Sequence, residues 1–212
     1  MKKIAIAGAG GFAKEVVLTL QAINQIEPTW EIVGLFDDKK EPGHFFMGLN
    51  ILGTIDDMND LEGNVAIVIG VGRSLNLQSI SEKLSTEKFS FPNIIHPTAF
   101  IHKESFKIGI GNIIQNNVLF SADNQIGNFN MLNFDVRVGH DTIIGNYNTF
   151  GVFTMISGGV QIGNANDFGI NSGILQYKKI GNNNVIAPLS ILYKSIKNDG
   201  HYIGNPAMPT GL

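Results

Sequence analysis

A single histidine, His140, lies between Ile108 and Lys197, and an acidic residue, Asp141, follows it directly. Histidine suits general-base work near neutral pH, and a neighbouring carboxylate can hold its tautomer and stabilise the imidazolium formed in a reaction. A solvated turn is the plain alternative for an adjacent His-Asp pair. A second group sits near the start, where Gly8, Gly10 and Gly11 follow an apolar run and precede a helical pattern. Glycines there let a ligand approach the backbone, and the helix start offers unpaired N–H groups to an anion. Asp37 and Asp38 close the next apolar run and offer acceptors to a base or a ribose, while Gly70 closes a third. Without a ligand, the same glycines make a strand-to-helix turn and the Asp pair caps a loop. His44, His96, His102 and His201 have no metal-ligand spacing and read as loop or surface residues.

These groups need two different scaffolds. Up to about Pro92, strands are expected at Lys3–Ala7, Ile32–Phe36 and Val65–Ile69, with helices from about Phe12 to Asn24 and from about Ser74 to Thr86. Apolar strands alternating with helices describe a small parallel sheet. Ligands of such sheets bind at the carboxyl ends of the strands, where these Gly and Asp residues fall.

The second half has another period. Ile-Gly recurs at Ile108, Ile126, Ile144, Ile162 and Ile180, and every sixth residue from Ile108 to Leu192 is apolar, fifteen in all. At a 43% apolar background the chance is on the order of a few in a million. Three six-residue repeats in 18 residues describe a triangular coil, the hexapeptide type of β-helix. Coils stack at about 4.8 Å, so five make a prism roughly 24 Å long. Asn112, Asn130, Asn148, Asn166 and Asn184 form a second 18-residue ladder, read as a self-satisfying structural column. The series extends backwards through Ile101 and Ile95, with one extra residue before Ile108.

The chain has 212 residues, a net charge of −3, 16% charged residues and no cysteine. A disulfide scaffold is excluded. Neither a nucleic-acid footprint nor a polybasic membrane patch is expected, and no apolar run approaches a membrane helix. The reading is a cytoplasmic protein whose partners are small molecules and copies of itself.

Taken in order, Ala7-Gly8-Ala9-Gly10-Gly11, Phe36-Asp37-Asp38, Ile69-Gly70, Ile95-His96-Pro97, Gly139-His140-Asp141, Gly169-Ile170-Asn171-Ser172 and Tyr202-Ile203-Gly204-Asn205-Pro206-Ala207 resemble the bacterial sugar acyltransferases of the NeuD and PglD type. The resemblance spans essentially the whole chain. It implies a Rossmann-like α/β domain over residues 1–92 that binds a nucleotide sugar, then a left-handed parallel β-helix over 93–212. It implies transfer of acetyl from acetyl-CoA to an amino group or hydroxyl of a nucleotide-linked sugar or sialic acid, without metal, in a homotrimer. Carried over by position, His140 is the general base, Asp141 its carboxylate partner and Gly158 the backbone oxyanion donor. Gly10, Gly11, Phe12, Asp37, Asp38 and Gly70 would hold the sugar substrate, and Thr149, Ile170 and Pro188 would meet CoA. Several positions depart from the family: Phe12 where histidine is frequent, Thr149 and Pro188 where His and Gly occur, and Met208 in place of a lysine.

Three rival readings weigh against this one. An NAD(P)-binding enzyme is suggested by Gly8-Ala9-Gly10-Gly11-Phe12-Ala13, which matches G-x-G-x-x-A, but the first half is only about half of a full dinucleotide fold. A zinc carbonic anhydrase on the same β-helix needs three converging histidines where only His140 lies in the coils. A non-catalytic scaffold would show a flat threonine ladder, and here the ladder is asparagine.

Overall fold

The computed structural model describes residues 1–84 and 87–211. Strand β1 (Lys2–Ala7) lies between β2 (Trp30–Phe36) and β5 (Val65–Ile69), all parallel. Helix α1 (Gly11–Ile26) connects β1 to β2, and α2 (Ser74–Lys83) follows β5. The sheet carries two further strands that the sequence reading does not anticipate, β3 (Phe45–Phe46) and β4 (Leu49–Gly53), in the order β3-β4-β2-β1-β5. They form a short hairpin whose only buried side chains are Phe46 and Ile51, too few to stand out as an apolar run. Helix α2 stops at Lys83, and the expected end at Thr86 lies outside the described residues.

From Ile94 the chain winds as a three-faced left-handed β-helix. One face stacks the strands ending at Ile108, Ile126, Ile144, Ile162 and Ile180; another those ending at Phe120, Val138, Ile156, Ile174 and Leu192. The third has eight strands, from Ile94–Ile95 through Val185–Ile186 to His201–Gly204, and ends in an antiparallel turn onto Ala207–Pro209. All fifteen apolar positions of the six-residue series point into the prism core, and Phe150 stacks on Phe168 at 4.9 Å. Every sixth residue from Gly111 to Leu189, fourteen in all, has φ between 53° and 70°. These left-handed residues turn the corners. Two are glycine, six are Asn or Asp, one is Ala165, and the other five are Phe, Tyr or Leu, held in place by the stacked coils.

The asparagine ladder is self-satisfying as expected. Asn148 Nδ2 donates to Asn130 Oδ1 at 3.0 Å, and its own Oδ1 accepts from Asn166 Nδ2 at 2.9 Å and from Asn166 N at 3.0 Å. All five members are buried. The column reaches Asn93 in the first coil across 19 residues, absorbing the extra residue before Ile108. A second ladder escaped the sequence reading: Asn128, Asn146, Asn164 and Asn182 each accept a backbone N–H from the preceding coil. Its signal was the Ile-Gly-Asn triplet at 126, 144, 162 and 180.

The α/β domain rests on the eight-stranded face. Ile94 and Ile113 join its core through α1, and Phe129 and Met131 join it beside α2. Thr19 Oγ1 donates to Gln115 Oε1 at 2.7 Å. Asp167, on the prism, reaches the first turn of α2.

Candidate active site

His140 and Asp141 occupy the corner between strands Arg137–Val138 and Ile143–Ile144. Asp141 is one of the left-handed residues, and its amide donates to Ala122 O at 3.0 Å, which fixes the turn. From that position Asp141 Oδ2 lies 2.7 Å from His140 Nδ1. A carboxylate only accepts, so Nδ1 carries the proton of the neutral ring and Nε2 keeps its lone pair. The ring is half exposed and leans over the next coil. A Cβ built on Gly158 would stand 2.5 Å from His140 Nε2. A side chain at 158 would displace the imidazole from this position. Gly158 O accepts from Tyr177 N at 3.1 Å, whereas the Gly158 N–H has no acceptor among the described residues. A basic nitrogen and a free backbone donor thus lie side by side, the pair that acyl transfer needs.

All six residues assigned to the sugar substrate come together. Gly10, Gly11, Phe12, Asp37, Asp38 and Gly70 line a cleft of about 460 Å³ at the carboxyl ends of β1, β2 and β5. A Cβ on Gly10 or Gly11 would meet nothing within 4 Å among the described residues, so no packing between them calls for glycine there. The two aspartates differ in duty. Asp37 accepts from the amides of Ala9 at 2.7 Å and Lys39 at 2.9 Å and ties the glycine loop to β2. Asp38 accepts from the Ile55 amide through Oδ1, and its Oδ2 stands 3.9 Å from Lys83 Nζ. Sequence reasoning missed Lys39, Ile55, Asn76, Ile80 and Lys83, which are among the further residues of the walls. Asn76, Ile80 and Lys83 are four and three residues apart along one face of α2, a pattern visible only once the cleft is known.

The three residues assigned to CoA separate. Ile170 and Pro188 are exposed and stacked at one corner, where Leu189 N donates to Ile170 O at 2.9 Å. That corner is not the one carrying His140; the face with Met155 and Gly173 lies between them. Thr149 is 4% exposed, and its hydroxyl donates to Asp167 Oδ1 at 2.5 Å beneath the α/β domain. Among the described residues no three His, Cys, Asp or Glu side chains converge as metal ligands, and no helix is long and apolar enough to cross a membrane.

Residues 3–84 match the PglD N-terminal domain. No curated protein matches the sequence significantly. Over the whole chain, the fold is similar to the acetyltransferase domain of PglB from Neisseria gonorrhoeae FA1090, solved with acetyl coenzyme A (25% identity, TM-score 0.90, 99% of each chain). It is similar also to a His-to-Asn variant of perosamine N-acetyltransferase from Caulobacter crescentus in complex with CoA and GDP-perosamine (22% identity, TM-score 0.90, 100% of this chain and 98% of that one). WeeI from Acinetobacter baumannii AYE shares the fold at 22% identity and a TM-score of 0.87, over 99% of this chain and 100% of that one. The chain thus joins a region that matches the PglD N-terminal domain to a left-handed β-helix, an architecture it shares with the acetyltransferase domain of PglB.

Proposed function

We propose that the protein transfers an acetyl group from acetyl-CoA to the amino group of a nucleotide-linked sugar. The observation that carries this reading is the His140 imidazole, held by Asp141 through Nδ1, with Nε2 set over Gly158 and its free N–H. Nε2 takes the proton from the amine as its nitrogen attacks the thioester carbonyl. The Gly158 N–H donates to the resulting oxyanion, and Asp141 stabilises the imidazolium. Collapse expels the CoA thiolate, which recovers the proton from Nε2. No covalent enzyme intermediate is needed.

The cleft of the domain over residues 1–92 takes the nucleotide. Its phosphates approach the Gly10-Gly11 backbone at the start of α1, with Lys39 and Lys83 at the rim. CoA runs along the Ile170–Pro188 corner. Because that corner and His140 lie apart on one prism, the complete site forms between neighbouring chains of a homotrimer. An amine is favoured over a hydroxyl as acceptor by the perosamine N-acetyltransferase fold relative.

The test is an acyl-CoA transfer assay over a panel of nucleotide-linked 4-amino sugars and free sialic acid. Acetylation of a nucleotide-linked amine, lowered about 10²- to 10⁴-fold by His140→Ala, supports the mechanism. Full activity in that variant would overturn it.

A further inference from the structure

Two of the fourteen left-handed corners are glycine, Gly111 and Gly159, and the same device explains both. An aromatic ring from the residue 18 positions on lies across each glycine. Phe129 Cδ1 would stand 2.4 Å from a Cβ on Gly111, and Tyr177 Cδ1 would stand 2.4 Å from one on Gly159. The two rings then differ. Phe129 is 6% exposed, wedged between Phe91 and Tyr147 against the α/β domain. Tyr177 has no ring partner among the described residues and is 69% exposed. Packing accounts for the first ring and not for the second.

Tyr177 lies beside the base. His140 rests on Gly158 and Tyr177 on Gly159, consecutive residues whose Cα atoms are about 3.8 Å apart. The Gly158-Gly159 peptide is thus flanked by an imidazole on one side and a phenol ring on the other, and Tyr177 N donates to Gly158 O. We infer that Tyr177 forms the wall of the acyl site and limits the size of the transferred acyl group. The inference rests on the transfer reading above. With the oxyanion on the Gly158 N–H and the amine on the His140 side, the acyl chain and the sulfur take the two remaining directions at the tetrahedral carbon. CoA arrives from a neighbouring prism, so the acyl chain is the substituent directed along this prism, toward the Tyr177 ring.

The experiment compares acetyl-, propionyl- and butyryl-CoA with a nucleotide-linked amino sugar that the wild type acetylates. Tyr177→Ala should raise the butyryl-to-acetyl ratio of kcat/KM by about tenfold or more, as expected when room for methylenes is made in an apolar site. Tyr177→Phe should leave the ratio where it is. Tyr177→Leu keeps a side chain that the fold already places at a left-handed corner, Leu189, and should move the ratio in the same direction if the alanine variant does not fold. An unchanged ratio in folded Ala and Leu variants overturns the inference, whether or not their assembly state changes. If the wild type acetylates no acceptor at all, the transfer reading fails and this inference falls with it, an outcome distinct from wild-type activity with unaltered selectivity.

Discussion

Asp167 Oδ1 accepts a hydrogen bond from the Ser74 amide at 3.0 Å, so a residue of the prism caps a helix of the α/β domain 93 positions earlier in sequence. Helix α2 has no side-chain cap of its own. The same helix lines the cleft through Asn76, Ile80 and Lys83. Loss of an N-cap costs about 1–2 kcal/mol. Asp167→Ala should lower Tm by about 3–6 °C and raise the Kd for the nucleotide sugar several-fold. Asp167→Asn, which keeps an acceptor, should restore most of both. Calorimetry and thermal melts check this, and an unchanged Kd in the alanine variant would show that α2 holds its place without the cap.

Gly158 offers a sharper probe of His140 than its removal. A Cβ at 158 would stand 2.5 Å from Nε2, and the ring must swing away. Gly158→Ala should reduce kcat by about 10²- to 10³-fold. Its Tm should change by about 1 °C or less, because 158 is not a left-handed position and faces solvent-exposed imidazole. Steady-state rates and melts on the same preparation read both effects.

The asparagine column makes the opposite prediction, large in stability and small in chemistry. Asn148→Ala removes the acceptor for Asn166 N and Nδ2 and the donor for Gly163 O, all within the prism. Leaving buried polar groups unpaired should cost about 2–4 kcal/mol, a fall in Tm of roughly 5–12 °C. The activity of protein that remains folded should stay near wild type.

Glu15 supplies a pH-dependent case. It faces a small cavity between α1 and the prism together with His96 and Gln115, and its Oε2 is buried without a hydrogen-bond partner among the described residues. Burial raises its pKa above the usual carboxylate range, and burial lowers that of His96. A raised carboxyl pKa means that the folded state holds the proton more tightly than the unfolded chain. Its contribution is present below the unfolded pKa and is lost as pH rises through the folded one. At pH 7 the ionised carboxylate is therefore a burden. Glu15→Gln should raise Tm at pH 7 by about 1–3 °C, allowing for partial exposure, with the gain vanishing near pH 4. Melts across that range would show the gain persisting at pH 4 if ionisation were not the cause.

Periodicity made the prism legible to the residue. The six-residue series identified the inward positions from Ile108 to Leu192 because a stacked coil repeats the same environment, and a repeated environment selects a repeated residue type. The cleft was legible in part for a different reason: Gly10, Gly11, Asp37 and Asp38 follow strands, and strand ends are where such sheets bind. Lys83 and Ile80 were not, because a helix face becomes a cleft wall only through tertiary packing. Asp37 was read as a ligand acceptor, yet both of its oxygens already serve the loop. Thr149 was placed by position alone, and its burial follows from Asp167 and α2, contacts that no local pattern announces. Tyr177 was hidden because the repeat offers an outward residue at every corner, and only the glycine beneath it sets this one apart.

A solenoid of uniform parallel strands carries a hazard at its ends, since each unpaired edge could template another copy of itself and grow a fibre. On the eight-stranded face both ends are denied to such growth. The helix α1 lies against the first strand at Ile94–Ile95, and at the other end the chain reverses between Gly204 and Ala207. A newcomer in parallel register would meet a rung running the wrong way. The terminal hairpin thus covers this edge, and deleting residues 205–211 should favour end-to-end association, read by size-exclusion chromatography, before it lowers activity.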